Sequence, residues 1–312
     1  MKTLKYLVYS IVATLVTVTS CQKVTGQGEP VGPTENVRIA LSAPSLVTKS
    51  IGDGTNAKVA YYTAFVDGRV VTSLSNKVNL DATGTAVLDL KLVKNVTYRF
   101  VFWAQTPDKT FYDLSTFYTD SKVKVDYQVD ANDDLRDAFC AAQDVTVTGE
   151  MDVTVYLKRP FAQINFCSSD YESVKYLGLH DGMLSNMTVL GLPDTISVLD
   201  GSVSSSNTTS VDVVFGMAAI PNGEDEYITV KDNQYGYVGM NYVLAPIEGD
   251  NVEVKGNFKN GNATWETDQI SNVPVKANYK TNILGEYFVE HGKFTIVILP
   301  EFETPDEEVS IQ

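Results

Sequence analysis

The stretch VTYRFVFWA, residues 96–104, carries the pattern that decides the fold. Apolar side chains recur at every second position, and in an extended chain such positions lie on one face. This period of two is typical of a β-strand that buries one face against a core. The residues that we predict to face that core are Val96, Tyr98, Phe100 and Phe102.

The same alternation recurs on both sides of this stretch. Between two other apolar runs, Asp67-Gly68 favours a type I′ turn, which predicts a tight hairpin. The 17 tyrosines and the many valines and threonines also suit a pleated sheet better than a helix. The further alternating apolar residues are Leu88, Leu90 and Leu92 in one strand and Val153, Val155 and Leu157 in another.

One segment, DANDDLRDAFCAA at residues 130–142, predicts a short helix. Asn132 or Asp130 stands where a helix cap is expected, and Leu135 and Phe139 are four positions apart. No other stretch has a helical pattern of comparable strength.

These patterns predict an all-β fold, with two tandem β-sandwich domains of the transthyretin- or immunoglobulin-like kind and few short helices. An alternating strand ends at Arg159-Pro160, and proline cannot donate to the ladder of a central strand. We therefore predict an N-terminal domain over residues 36–158. The C-terminal domain then covers residues 159–312 and ends in an acidic tail.

Residues 1–20 have the features of a secretory signal peptide, with two early lysines followed by an apolar run. The order Val18-Thr19-Ser20-Cys21 resembles the bacterial lipobox, in which the cysteine receives lipid. We predict that Cys21 is lipidated and that residues 21–35, rich in Gly, Pro and polar residues, form a tether. The alternative is an ordinary signal peptide with an incidental cysteine.

The charge of the chain narrows the choice of binding partners, and its cysteine content leaves one question about disulfide bonding open. The chain has 24 basic and 39 acidic residues, a net charge of −15, which argues against a nucleic-acid partner. Two cysteines remain beyond the signal and its lipobox, Cys140 and Cys167. They either pair in an oxidising compartment or stay free.

The sequence offers little for an enzyme. It contains only two histidines, and it lacks both a nucleophile elbow and a glycine-rich phosphate loop. Asp130, Asn132 and Asp134 have the spacing of a calcium loop, but Leu135 stands where that loop needs glycine. We interpret the acidic run as a helix start and predict no catalytic residue, no metal site and no cofactor.

The two tryptophans differ in their surroundings. Trp103 lies in a strongly apolar strand, so we expect it in the core. Trp265, in NATWETD at residues 262–268, lies among polar residues and is a candidate platform for a glycan.

Several stretches resemble, in order along the chain, the fimbrillin-like lipoproteins of Bacteroidetes, which include the subunits of type V pili. The resemblance covers nearly the whole of residues 36–300. The stretches that carry it are TKSIGDG (48–54), YRFVFWAQ (98–105), LKRPFAQIN (157–165), MNYVLAP (240–246) and VKANYKTNILG (275–285).

The resemblance implies an adhesive or pilus-building protein, lipid-anchored in the outer membrane and exposed at the cell surface. Its partners would be other pilus subunits, in a homo- or heteropolymer, the membrane through the lipid on Cys21, and surface ligands of host or bacterial cells. A glycan-binding lipoprotein of a nutrient-uptake system, with Trp265 as its platform, is the alternative.

In polymerising members of that family a protease cuts near the first strand, and a segment of another subunit fills the groove that this strand leaves. Lys49 stands where the family has an arginine, so the resemblance implies a cut between Lys49 and Ser50 or an uncut chain that serves as an anchor. The strand that would leave, residues 36–43, has Val37, Ile39 and Leu41 on one face.

The C-terminus has two interpretations. We expect FTIVIL, residues 294–299, to be the last strand of its domain. The tail behind it is a candidate donor segment for a neighbouring subunit through the alternating residues Val309 and Ile311.

Overall fold

The structure, a computed structural model, describes residues 29–44, 52–107, 110–179, 181–205, 210–221, 227–288, 294–299 and 309–310. Cys21, the pair Lys49 and Ser50, and Ile311 lie outside these ranges, as do the histidines at 180 and 291. For Val309 the structure describes the backbone only.

The chain is almost entirely β, which confirms the predicted fold class. The helices are α1 (Phe117–Asp120), α2 (Tyr171–Tyr176) and the 3₁₀ turns Thr72–Leu74 and Asp134–Arg136. None of the helices in the described ranges is long and apolar enough to cross a membrane. The strands are β1 (Thr34–Ser42), β2 (Val59–Val66), β3 (Arg69–Val70), β4 (Asn76–Asn79), β5 (Thr85–Val93), β6 (Thr97–Gln105), β7 (Tyr112–Asp113), β8 (Lys122–Val125), β9 (Phe139–Thr146), β10 (Met151–Tyr156), β11 (Phe161–Ser168), β12 (Leu184–Leu192), β13 (Thr195–Ser197), β14 (Val203–Ser204), β15 (Val211–Val214), β16 (Ala218–Ala219), β17 (Tyr227–Val230), β18 (Asn233–Leu244), β19 (Asp250–Asn260), β20 (Ala263–Glu266), β21 (Ile270–Val275), β22 (Lys280–Gly285), β23 (Phe294–Leu299) and β24 (Val309–Ser310).

The first part of the chain forms a sandwich of two sheets. One sheet has the strand order β10-β1-β5, and the other has the order β3-β2-β6-β9, with β4 also paired to β2. The predicted face of residues 96–104 lies in the core between them, since Tyr98, Phe100 and Phe102 are buried and Val96 packs against the same cluster. The predicted hairpin is also confirmed, because Asp67 and Gly68 have φ of 49° and 72° between the paired strands β2 and β3.

The second part forms another sandwich. One of its sheets has the order β17-β18-β11-β22-β23-β24. The facing sheet has the order β15-β12-β19-β20, with β16 paired to β12 and β21 to β19. Phe166 of the first sheet packs edge-on against Phe258 of the second, with ring centroids 5.8 Å apart.

A small sheet of order β14-β13-β8-β7 joins the two parts, because β8 precedes residue 159 and β13 follows it. Trp103 adds to this junction. It is fully buried, as predicted, and its ring lies 5.1 Å from that of Tyr112 and 6.3 Å from that of Phe161. One hydrophobic cluster therefore runs from the outer face of β6 into the second sandwich. The division into two domains at residue 159 stays a prediction.

The helix predicted over residues 130–142 is wrong. Only a 3₁₀ turn forms, its cap is Asp133, and strand β9 begins at Phe139. Asn132 has φ of 61°, and its side chain donates to Ser185 Oγ and accepts from Met240 N. These tertiary bonds, and the pairing of β9 with β6, override the weak local helix preference.

Candidate functional site

Strand β1 lies in the middle of its sheet. It pairs in parallel with β10 from Val37↔Met151 to Ser42↔Tyr156, and antiparallel with β5 from Thr34↔Val93 to Ser42↔Thr85. Both of its edges are therefore occupied. Without β1, the facing edges of β5 and β10 would lose their hydrogen-bond partners, which is how a strand-accepting groove arises.

The predicted face of β1 is buried. Val37, Ile39 and Leu41 are 1%, 0% and 1% exposed. Full burial of such side chains contributes roughly 1.5–3 kcal/mol each, so β1 is firmly held while it is in place. The cluster that these residues join includes Leu88, Leu92, Phe100 and Val155.

Pro44 and Gly54, which lie on either side of residues 45–51, are close together in space. Gly54 has φ of 80°, and a Cβ atom added there would lie 2.0 Å from the carbonyl oxygen of Pro44. Only glycine permits this approach. The end of β1 therefore lies beside the chain that follows the predicted processing position.

Gly52, the first described residue after that position, is fixed from both sides. Its amide donates to Asp134 Oδ1 at 2.9 Å, and its carbonyl accepts from Arg159 Nη2 at 2.5 Å. Both side chains come from distant parts of the sequence, so tertiary structure anchors the backbone at this point.

Arg159 also forms a buried ion pair. Its Nε lies 2.7 Å from Asp137 Oδ1 and its Nη2 lies 2.8 Å from Asp137 Oδ2. The guanidinium lies over the ring of Phe139, 4.6 Å from the centroid. Burial by itself lowers the pKa of Arg159, but the charge and hydrogen bonds of Asp137 outweigh it and raise that pKa above its ordinary value. Burial also raises the pKa of Asp137, against the opposing effects of Arg159 and Lys280.

Asp134 lies beside this pair. Its carboxylate accepts hydrogen bonds from Gly52 N, from Asn56 Nδ2 at 3.0 Å and from the Tyr242 hydroxyl at 2.7 Å. Burial, helped by the charge of Asp137, raises the pKa of Asp134 to about 6. Tyr242 belongs to β18, so this network, which we call the Gly52 anchor (Gly52, Asp134, Asp137, Arg159 and Tyr242), links both sandwiches.

Sequence reasoning missed the Gly52 anchor. The sequence pattern places Asp134 and Asp137 in the predicted helix of residues 130–142, and it makes Arg159 only a mark of the predicted domain boundary. One feature of the sequence points to a buried charge. Arg159 is a charged residue between two apolar strands, directly before Pro160 and the fully buried strand β11. A buried charge of this kind needs a partner.

The C-terminal segments continue the second sandwich. FTIVIL forms β23, as predicted, and pairs antiparallel with β22 from Lys280↔Leu299 to Gly285↔Phe294. The backbone of Val309 pairs with Ile298 of the same chain. The donor role of Val309 and Ile311 stays a prediction.

Trp265 lies in β20 and is half-buried. Its ring stands perpendicular to that of Phe288, with centroids 5.4 Å apart. Part of the ring thus packs on the sandwich, and the rest is open to solvent. Its role as a glycan platform stays a prediction.

Cys140 and Cys167 are both free thiols, which settles the alternative that the sequence left open. Burial raises the pKa of Cys140 to about 12, and it also raises that of Cys167. Among the described residues, no group of His, Cys, Asp or Glu side chains is arranged to hold a metal ion.

The sequence profile of a family of unknown function, DUF6562, matches residues 47–312. The matched range begins after β1. A search of curated proteins finds no match.

Solved structures that align with this chain come from Bacteroides and Parabacteroides species. One, described as candidate polysaccharide-binding proteins from Bacteroides thetaiotaomicron, has a TM-score of 0.50 at 10% identity and covers 89% of this chain and 98% of that one. A candidate cell adhesion protein of Bacteroides ovatus has a TM-score of 0.49 at 9% identity, with 88% and 99% covered. A fimbrial assembly protein of Parabacteroides distasonis has a TM-score of 0.43 at 10% identity, with 85% and 95% covered.

Proposed function

We propose a function from the premise that the chain belongs to the DUF6562 family, a family of unknown function. The chain is a fimbrillin-like lipoprotein of the cell surface and a structural or adhesive subunit of a type V pilus. Subunits join by strand exchange: proteolysis between Lys49 and Ser50 frees β1, and an extended segment of a neighbouring subunit takes its place.

The observation that carries this proposal is the position of β1. It is a central strand with three fully buried side chains, yet it is also the first described strand and directly precedes the processing position. A single cut would therefore free a core strand without breaking any other part of the chain. The groove left behind would offer two unpaired strand edges and an apolar floor to a donor strand.

Residues 48–54 and the lipobox support the same proposal. The lipid on Cys21 would deliver the uncut chain to the outer membrane, and removal of residues before Ser50 would release it from that anchor. A chain that stays uncut would instead remain at the membrane as the anchor of a pilus.

The test is the N-terminus and intact mass of the protein purified from native envelopes. A chain that starts at Ser50 without lipid supports strand exchange. A chain that starts at lipidated Cys21 in assembled pili contradicts it and favours the uncut anchor. Lys49→Gln should abolish the cut, while the matched variant Lys58→Gln should leave it unchanged.

Glycan binding by a surface lipoprotein of a nutrient-uptake system is the second candidate function. It is favoured by the partial solvent exposure of the Trp265 ring in β20 and by the description of the Bacteroides thetaiotaomicron structure as polysaccharide-binding. The test is binding to immobilised polysaccharides with the wild-type chain, Trp265→Ala and Trp265→Phe. Binding that is lost with alanine and kept with phenylalanine supports a platform, and no binding by the wild type contradicts it.

A further inference from the structure

Strand β5 forms an edge of the first sandwich. Its sheet has the order β10-β1-β5, so β5 pairs with β1 on one side and with no described strand on the other. The pairing with β1 runs over all nine residues of β5 without a bulge, and the strand contains no proline. Sheets protect open edges with prolines, bulges or charged side chains, because an open edge can pair with another chain. Of these features β5 has only the charges, so their arrangement decides what can pair with it.

The main-chain groups of β5 that point away from β1 follow from the hydrogen bonds at the two ends of the pairing. In an antiparallel pair, only every second residue directs its N–H and C=O groups to the partner strand. At one end, Ala43 N donates to the carbonyl oxygen of Gly84 at 2.9 Å. At the other end, Lys94 N donates to that of Pro33 at 2.9 Å. The even-numbered residues of β5 therefore bond to β1, and the odd-numbered residues direct their main-chain groups outward.

The chain itself closes both ends of this outward row. The carbonyl oxygen of Thr85 accepts from Asp81 N at 2.8 Å. The amide of Val93 donates to the hydroxyl of Tyr98 at 3.0 Å. Between these ends lie three exposed residues whose outward main-chain groups bond to no described residue. They are Val87, Asp89 and Lys91.

The sequence of β5 is complementary to itself about Leu90. Asp89 and Lys91 flank Leu90, and Leu88 and Leu92 follow on either side. We consider a second copy of β5 that pairs antiparallel about a two-fold axis at Leu90. Each Asp89 then lies opposite a Lys91, and each Leu88 lies opposite a Leu92. Opposite charges directly across an antiparallel pair stabilise it, and like charges destabilise it.

Among the possible positions of the axis, Leu90 alone brings opposite charges together. The outward row must pair with itself, so the axis passes through a residue of β5. An axis at Asp89 or at Lys91 places two identical charges opposite each other. An axis at Leu88 or at Leu92 pairs no opposite charges. The charges that protect the edge against other strands therefore admit its own copy in one register.

The contacts in this register use groups that the single chain leaves open. Each Asp89 forms a hydrogen-bonded pair with a Lys91, and the two pairs supply four main-chain hydrogen bonds. Leu90 meets its own copy at the axis, at a position where Cα atoms lie about 4.5 Å apart and side chains touch. Leu90 is partly exposed in the single chain, and it already packs against the core of the first sandwich. Arg38 of β1 lies opposite Asp89 within the chain, but their side chains form no ion pair in the described structure.

We propose that β5 is a docking strand for β5 of a second copy of this chain, paired antiparallel about a two-fold axis at Leu90. The two three-stranded sheets then form one continuous sheet with the order β10-β1-β5-β5-β1-β10. This surface is separate from the groove of the proposed function, because the paired edge of β5 faces away from β1. The inference therefore does not depend on whether the chain is cut.

The experiment measures the oligomeric state of the full chain by sedimentation equilibrium at concentrations up to about 0.1 mM. We expect a reversible dimer. Asp89→Lys and Lys91→Asp each place two pairs of like charges opposite one another, so each should raise the dissociation constant at least about tenfold. The double variant restores opposite charges in reversed order and should return the dissociation constant to within about threefold of the wild-type value.

Asp152→Lys and Lys77→Asp are the matched controls. Both residues are exposed on other edge strands, Asp152 on β10 and Lys77 on β4. They reverse the same charges away from β5 and should leave the dissociation constant unchanged. Hydrogen exchange read by mass spectrometry gives a second measurement, in which residues 87–91 should become more protected as the protein concentration rises.

A wild-type chain that stays monomeric throughout this range would overturn the proposal. A dimer that neither single variant weakens would overturn it too, because another surface would then hold the two copies. A dimer that the single variants weaken and the double variant does not restore would contradict the register. The double variant carries both substitutions, so its dimer would also show that neither of them prevents folding.

Discussion

Arg159 Nε lies 2.7 Å from Asp137 Oδ1, and both side chains are completely buried. The pair lies where the first sandwich ends and the second begins. The guanidinium of Arg159 also donates a hydrogen bond to the carbonyl oxygen of Gly52. Removing one member of a buried pair leaves an uncompensated charge, which is far more costly than losing an exposed pair.

Arg159→Met should therefore lower the free energy of unfolding by roughly 3–5 kcal/mol. The measurement is urea denaturation followed by circular dichroism. Lys255→Met is the control, because Lys255 pairs with Glu266 at 3.1 Å with side chains 38% and 67% exposed. It should change stability by less than about 1 kcal/mol. Equal effects of the two variants would refute the structural role of the Arg159 pair.

Ile39→Ala should lower the free energy of unfolding by about 2–5 kcal/mol, because it leaves a cavity at a fully buried site of β1. Asn36→Ala changes an exposed residue of the same strand and should stay within about 0.5 kcal/mol of the wild type. The measurement is thermal and urea unfolding of the uncut chain. A small effect of Ile39→Ala would mean that β1 is not docked in solution.

Asp134 should make stability depend on pH. Its pKa rises from 3.8 to about 6 on folding, so the folded state holds its proton more tightly than the unfolded state. The stabilisation is fully present below pH 3.8 and is lost as pH rises through 6. The difference in unfolding free energy between wild type and Asp134→Asn should shift by up to about 3 kcal/mol over this window, in favour of the variant at the higher pH.

Asp89→Asn, at an exposed position of β5, is the matched control for this pH profile. Its difference from the wild type should stay nearly constant across the same range. A flat profile for Asp134→Asn would show that Asp134 has an ordinary pKa in the folded protein.

The two thiols should be unreactive in the folded protein. Burial raises the pKa of Cys140 to about 12, so almost none of it is thiolate at pH 8. We expect slow reaction with a chromogenic disulfide reagent in buffer and fast reaction of both thiols in urea. A reducing agent should leave the melting temperature unchanged, because the thiols are free. A large drop on reduction would indicate a disulfide.

The strands were predictable because their signal is local. Alternation at residues 96–104 and the Asp67-Gly68 turn depend only on near neighbours, and both interpretations are confirmed. The helix at 130–142 failed because Asn132 bonds to Ser185 and Met240, which lie far along the chain. The same limit hid the Gly52 anchor. Asp134 lies 82 positions after Gly52, and Arg159 lies 107 positions after it. Only the folded chain brings these residues together.

The parallel pairing of β1 with β10 has a consequence for the order of folding. Val37 cannot pair with Met151 until nearly half of the chain has been synthesised, so this contact has high contact order and is expected to form late. Until then β5 is the only described strand that can pair with β1, and the other edge of β1 has no partner. A strand from another chain would compete with β10 for that edge. The covalent chain between β1 and β10 gives β10 the higher effective concentration and disfavours pairing between separate molecules.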